Sequence, residues 1–139
     1  MNEPETIRTI LENAKTIAVV GLSDRPERAS FSVSQSMQKR GYRIVPVNPR
    51  LSSVLGEKAY PTLDAAQAAV GKIDLVNVFR ASEFVPEIVR DLIRLKIPYL
   101  WLQQGVCHEE AAQLAEAAGI KVVMDRCIYL EKVYAGAGS

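Results

Sequence analysis

The run Thr16-Ile-Ala-Val-Val-Gly-Leu-Ser-Asp-Arg-Pro-Glu-Arg-Ala-Ser30 constrains the fold of this chain more than any other stretch. A short apolar segment rich in β-branched residues stops at Gly21, a polar loop carries Arg25 and Arg28, and Ser30 opens a segment of helical character. β-Branched side chains favour a strand, and glycine lets the chain turn sharply at its end. A strand, a turn and a helix N-terminus in that order make a corner where loop amides and the helix dipole face an anion. The two arginines add forked donors suited to phosphate, and Ser23 and Ser30 add hydroxyls. Of the dinucleotide pattern G-x-G-x-x-G only Gly21 is present, with Ser23 in place of the second glycine. The next apolar run ends Val45-Pro-Val-Asn-Pro-Arg50, without the carboxylate that would hold a ribose hydroxyl. An ordinary NAD site is disfavoured, and a ligand richer in phosphate is favoured.

The rest of the chain alternates strand-like and helix-like segments. Glu3 to Asn13 predicts a helix with Ile7, Ile10 and Leu11 on one face, and Pro4 fits its first turn. After the strand Thr16–Val20, Ser30 is the expected N-cap of a helix reaching Arg40, with Val33 and Met37 towards the sheet. A second strand spans Tyr42–Val47; Pro46 cannot donate to a ladder, so pairing is expected to fail there. Asn48 to Gly56 reads as loop, and a helix follows Tyr60-Pro-Thr62 with Leu63, Ala66 and Val70 buried. A third strand covers Ile73–Phe79, and a helix follows with Val85, Ile88, Val89, Leu92 and Leu95 at near-ideal spacing. The fourth strand is Tyr99–Leu102. The next helix is expected to bury Ala111, Leu114, Ala115 and Ala118, a fifth strand is Lys121–Met124, and the closing Ala-Gly-Ala-Gly-Ser reads as frayed.

Continuously apolar strands alternating with helices predict an α/β, Rossmann-like three-layer fold. Its five-stranded parallel sheet has helices on both faces. Right-handed crossovers with one reversal of winding suggest the order 3-2-1-4-5, with the ligand beyond the C-terminal strand ends between strands 1 and 4. The 139 residues form a single domain, 1–139. With 17 basic against 16 acidic residues the net charge is +1, which suggests neither a nucleic-acid nor a membrane partner. No stretch has the length of a membrane span, the N-terminus has no signal-peptide pattern, and two cysteines make no disulfide framework. The expected compartment is the cytoplasm.

The strand ends V-G-L-S-D-R-P-E-R-A-S, G-Y-R-I-V-P-V-N-P, V-N-V-F-R, W-L-Q-Q-G and D-R-C, in that order from Thr16 to Cys127, resemble the stand-alone bacterial CoA-binding proteins. Those are similar to the N-terminal domain of the succinyl-CoA synthetase α subunit. The resemblance implies coenzyme A or an acyl-CoA as ligand, held by the loops after strands 1 to 4. That assigns to it Gly21, Leu22, Ser23, Arg25, Pro26, Arg28 and Ser30, then Asn48, Pro49 and Arg50, then Phe79 and Arg80, then Gln104 and Gly105. Arg25 and Arg28 would meet the pyrophosphate; Arg50, with Arg80 as the alternate, would meet the 3′-phosphate. Asn48-Pro-Arg is equally a plain turn. Trp101, Tyr42 and Phe79 read as core, and an aromatic near the strand ends can also pack on adenine.

The synthetase carries a second domain with a phosphorylated histidine, whereas the single histidine here, His108, opens a helix of the first domain. Ligase chemistry is therefore not carried over, and no catalytic residues are assigned. Cys107-His108 has no orienting carboxylate apparent in the sequence, and one histidine with two distant cysteines gives too few ligands for a metal. The reading is a non-catalytic CoA- or acyl-CoA-binding module in a regulatory or carrier role, with an unidentified protein partner. An NAD(P)-linked or CoA-dependent enzyme is the alternative. Cys107 and Cys127 follow neighbouring strands, so they can fall within disulfide reach of each other or of the CoA thiol, but the favoured reading is two half-buried thiols that do not react. The adjacent helix N-terminus should lower the Cys107 pKa.

Overall fold

The structure, a computed structural model, describes residues 1–137. The strands are β1 (Thr16–Val20), β2 (Arg43–Val47), β3 (Ser53–Val54), β4 (Glu57–Lys58), β5 (Leu75–Val78), β6 (Tyr99–Leu102) and β7 (Lys121–Val123). The helices are α1 (Pro4–Asn13), α2 (Ala29–Lys39), α3 (Leu63–Val70), α4 (Val85–Leu95), α5 (Glu109–Ala117) and α6 (Ile128–Ala137). Five of the strands form one parallel sheet in the order β2-β1-β5-β6-β7. Side chains of α3, α4 and α5 pack on one face and those of α1, α2 and α6 on the other, which gives the expected three layers.

The strand order differs from 3-2-1-4-5. The third strand of the sheet, β5, pairs with β1 in the register Ile17↔Leu75 to Val20↔Val78, and β2 is left at the edge. Pairing also does not fail at Pro46, which sits opposite Val19 with Val47 opposite Val20. Both differences have one cause. The Val47 carbonyl accepts from Gly21 N–H and so faces β1, which turns Pro46 outward, where its carbonyl accepts from Tyr60 N–H. A proline whose missing N–H points away from the sheet costs nothing at an edge and would cost a ladder bond in an interior strand. The winding therefore reverses between β1 and β5, and the crevice lies there.

Local chemistry explains four further differences. Ser30 does not cap α2; Arg28 stands at the N-cap without a side-chain bond, and Ser30 lies one turn in, buried. The expected loop after Asn48 contains a hairpin, β3–β4, turning on Leu55 (φ 57°) and Gly56 (φ 75°). Positive φ at both central residues is the geometry whose twist matches paired strands, and Gln38 Nε2 donates to the Leu55 carbonyl to hold it. On α5 the buried residues are Ala111, Ala112 and Ala115, while Leu114 is 54% exposed and Ala118 lies at the exposed end. α5 thus meets the sheet through a narrow alanine stripe. The segment expected to fray instead enters α6, anchored by buried Ile128; Gly138 and Ser139 lie outside the described residues.

Both borders of the sheet are finished by groups other than strands. At β2, Tyr60 bridges Val47, and Asn48 N–H donates to the Tyr60 carbonyl. Beyond β7, Asn2 donates from Nδ2 to the Met124 carbonyl (2.7 Å) and accepts at Oδ1 from Met124 N–H (2.8 Å).

Candidate functional site

The strand ends meet at Gly21, whose φ is +87°. A Cβ there would lie 3.0 Å from Arg80 Cγ and 3.4 Å from the Phe79 carbonyl carbon and oxygen. Glycine suits this position because its positive φ strains any side-chain-bearing residue and an added Cβ would crowd the Arg80 stem. The following loop braces itself: Ser30 Oγ accepts from Ser23 N–H (3.0 Å), and Ser23 Oγ accepts from Arg25 N–H (3.1 Å). Each hydroxyl uses an oxygen lone pair in this way and keeps its proton to donate.

Asn48 is the clamp between two loops. Its Nδ2 donates to the carbonyl of fully buried Leu22 (3.0 Å) and its Oδ1 accepts from Arg50 N–H (2.9 Å). Asn48 thus makes a turn, and the turn fixes Arg50 relative to β1.

A cleft of about 480 Å³ opens beside Gly21 on the α3–α4 side of the sheet. Among the expected ligand residues it brings together Gly21, Asn48, Pro49, Arg50 and Arg80. Ser23, Arg25, Pro26, Arg28 and Ser30 lie in the β1–α2 loop and first turn, outside the cleft lining. Leu22 is core, and Phe79 is half-buried with its backbone against Gly21. Gln104 is exposed, and Gly105 N–H is occupied by Asp125 Oδ1 (2.7 Å). The opposite wall went unnoticed in the sequence: Pro61, Thr62 and Leu63 before and at the start of α3, with Phe84, Glu87, Ile88 and Asp91 of the α4 segment. The α4 residues are spaced i, i+3, i+4, i+7, a helix stripe that follows directly on the third strand and was there to be read.

The cations of the site are uncommitted. Among the described residues Arg28, Arg50 and Arg80 have no ion-pair partner, and Arg25 has only exposed Glu27 at 3.9 Å. The Arg80 guanidinium lies over the Phe84 ring, 3.7 Å from its centroid. The two helical walls are joined by Arg94, whose guanidinium donates to both Asp64 oxygens and to Asp91 Oδ1 (2.7 Å). That hydrogen bonding holds the exposed Asp64 carboxyl below its ordinary pKa.

At the far end of the edge, Ser82 Oγ accepts from Cys107 N–H (2.9 Å). Cys107 and Cys127 are both free thiols, and β6 and β7 are neighbours as expected. The Cys107 pKa is not lowered. Partial desolvation of the sulfur comes first, then the charge and hydrogen bond of Asp125 and the charge of Glu109, and all raise it. The first amides of α5 do not help the thiol, because His108 Nδ1 takes Ala111 N–H (3.1 Å) and Glu109 and Glu110 fill the first turn. That cap also engages the histidine nitrogen. Iodoacetamide at pH 8 is therefore expected to label Cys107 more slowly than a free cysteine, because the thiolate is the nucleophile. Asp125→Asn, which tolerates the residue's φ of 62° and keeps an acceptor for Gly105, should speed the labelling. An unchanged rate by mass spectrometry would show that Asp125 does not govern the thiol.

Among the described residues no helix is long and apolar enough to cross a membrane. A family model described as a CoA binding domain matches residues 15–132. The uncharacterised protein YneT of Bacillus subtilis (strain 168) is 48% identical over 122 residues, covering 88% of each chain. A hypothetical protein from Pyrococcus horikoshii OT3 superposes with a TM-score of 0.87 at 34% identity, covering 95% of this chain and 91% of that one. The α subunit of an ADP-forming acetate–CoA ligase II from Pyrococcus furiosus is 22% identical over 134 residues, 88% of this chain but 29% of that subunit.

Proposed function

Because the chain belongs to the CoA binding domain family, we propose that it binds coenzyme A, or an acyl thioester of it, across the crevice beside Gly21, without catalysing a reaction. The observation that carries this reading is the pair of uncommitted arginines, Arg50 and Arg80, in one cleft next to a braced strand–loop–helix corner. The cleft volume of about 480 Å³ suits a cofactor-sized group. The loop of Ser23, Arg25, Arg28 and Ser30 supplies hydroxyl and guanidinium donors for the pyrophosphate. Arg50, with Arg80 as alternate, takes the 3′-phosphate, and Gln104 and Gly105 border the path of the pantetheine arm. The accompanying reading is a regulatory or carrier role in the cytoplasm, exerted on a protein partner.

Thermal unfolding with CoA, dephospho-CoA, acyl-CoA, NAD and NADP tests the reading. A ligand bound only by the native state adds RT ln(1 + [L]/Kd), about 2.7 kcal/mol at a hundred times Kd. CoA is expected to raise Tm more than NAD or NADP; an equal or larger shift with either dinucleotide favours the oxidoreductase alternative. Calorimetric titration should find dephospho-CoA weaker than CoA by about ten- to a hundredfold, the usual worth of a charge-assisted hydrogen bond. Arg50→Ala should remove most of that difference. A difference that persists in Arg50→Ala would move the 3′-phosphate to another residue.

A further inference from the structure

One residue of the cleft does not suit a polyanion. Glu87 lines it together with Arg50 and Arg80, and among the described residues its carboxylate has neither an ion pair nor a hydrogen bond. A free carboxylate there repels phosphate, so it is compatible with CoA only opposite a part of the ligand that donates hydrogen bonds. Asp91, one turn further along α4, is already held by Arg94 and is not available in the same way.

The position of Glu87 selects the donor. The Arg80 guanidinium carbon lies 3.7 Å from the Phe84 ring centroid, and a guanidinium–aromatic pair of this kind offers a planar cation on which a base can stack. Phe84 and Glu87 are three residues apart at the start of α4 and share a helix face, with Ile88 beside them as an apolar floor. Three residues separate Phe84 from Glu87, a rise of about 4.5 Å along the helix, so a base stacked at the Arg80–Phe84 pair can bring an edge within reach of the carboxylate. The edge donor of adenine is its exocyclic amino group.

We propose that Glu87 reads the amino group of an adenine stacked on the Arg80–Phe84 pair, and so makes the cleft specific for adenine. The proposal rests on the CoA reading above and deepens it: Arg80 serves the base, which leaves Arg50 for the 3′-phosphate. A base carrying a carbonyl oxygen at that position would set an acceptor against a carboxylate, so discrimination comes from repulsion as well as from a lost bond.

Calorimetric titration of the full chain with CoA and with its hypoxanthine analogue, in which a carbonyl oxygen replaces the amino group, tests the proposal. The wild type should bind CoA about ten- to a hundredfold more tightly than the analogue. Glu87→Ala should bring the two ligands within about threefold, mainly by losing affinity for CoA. Glu87→Gln, which keeps an amide oxygen as acceptor, should fall between. Glu87 is exposed and unbonded, so thermal melts of the free variants should match the wild type. Equal affinity of the wild type for both ligands, or full discrimination retained in Glu87→Ala, overturns the proposal while leaving CoA binding intact. Failure of the wild type to bind CoA at all overturns both readings.

Discussion

Trp101→Ala is expected to lower the free energy of unfolding by about 3–5 kcal/mol, the usual range for emptying an indole site in a core. Trp101 is 0% exposed in β6, in the same buried cluster as Ile10, Leu75, Val123 and Ile128. Its neighbours come from α1, β5, β7 and α6, so no single element can move in to close the space. The indole also ties β6 to the loop after β7, because Nε1 donates to the Arg126 carbonyl (2.9 Å). Trp101→Phe keeps most of the apolar volume and gives up that bond, so it should lose about 1–3 kcal/mol. Urea unfolding measures both. A loss below about 1 kcal/mol for Trp101→Ala would mean that the indole is not part of the core.

Gly21→Ala should cost about 2–4 kcal/mol, for two separable reasons. One is backbone strain at a φ of +87°; the other is a Cβ 3.0 Å from Arg80 Cγ and 3.4 Å from the Phe79 carbonyl. The tight contact is with the Arg80 stem, which must give by a few tenths of an ångström, whereas the Phe79 backbone just after β5 is only touched. Gly56→Ala isolates the strain, since Gly56 has a φ of +75° and nothing within 4 Å of an added Cβ. It should lose about 1–2 kcal/mol. Equal losses at the two glycines, by urea titration, would show that the close approach of β1 and β5 is not tight. Because Arg80 must shift in Gly21→Ala, CoA affinity should fall there and stay unchanged in Gly56→Ala.

The sequence was most legible where one periodicity acted alone. The strands and the stripe of α4 follow from apolar spacing, and the one amide inside the third strand, Asn77, is satisfied there by accepting from Gln103 Nε2 (2.9 Å) as a buried pair. Strand order was harder, because crossovers of similar length permit either neighbour for β5. Pro46 carried the missing information: taken as an edge mark instead of a break in pairing, it puts β2 at the border and β5 beside β1. Ser30 was misplaced because a serine at a helix start has two uses, capping its own helix or bracing the preceding loop, and here it does the second. The hairpin was hidden because Leu55 occupies a left-handed position usually marked by Asn or Asp. α6 was hidden by the glycines of the closing run, one of which, Gly136, lies within the helix itself. Of the candidate site, the arginines were legible by charge, whereas Phe84 and Glu87 passed for an ordinary amphipathic start to α4.

The finishing of the two sheet borders bears on self-association. An open border of a sheet is a template on which a second chain can add a strand, the first step towards fibrils or strand-swapped dimers. At β2 that template is interrupted by a proline with nothing to donate and by the Tyr60 bridge; beyond β7 the Asn2 amide takes both outward groups of Met124 as a visiting strand would. Crowded copies of this domain are thereby hindered from growing their sheets into one another. A second copy of this domain would have to meet it through the helix faces or the loop edge instead of the sheet.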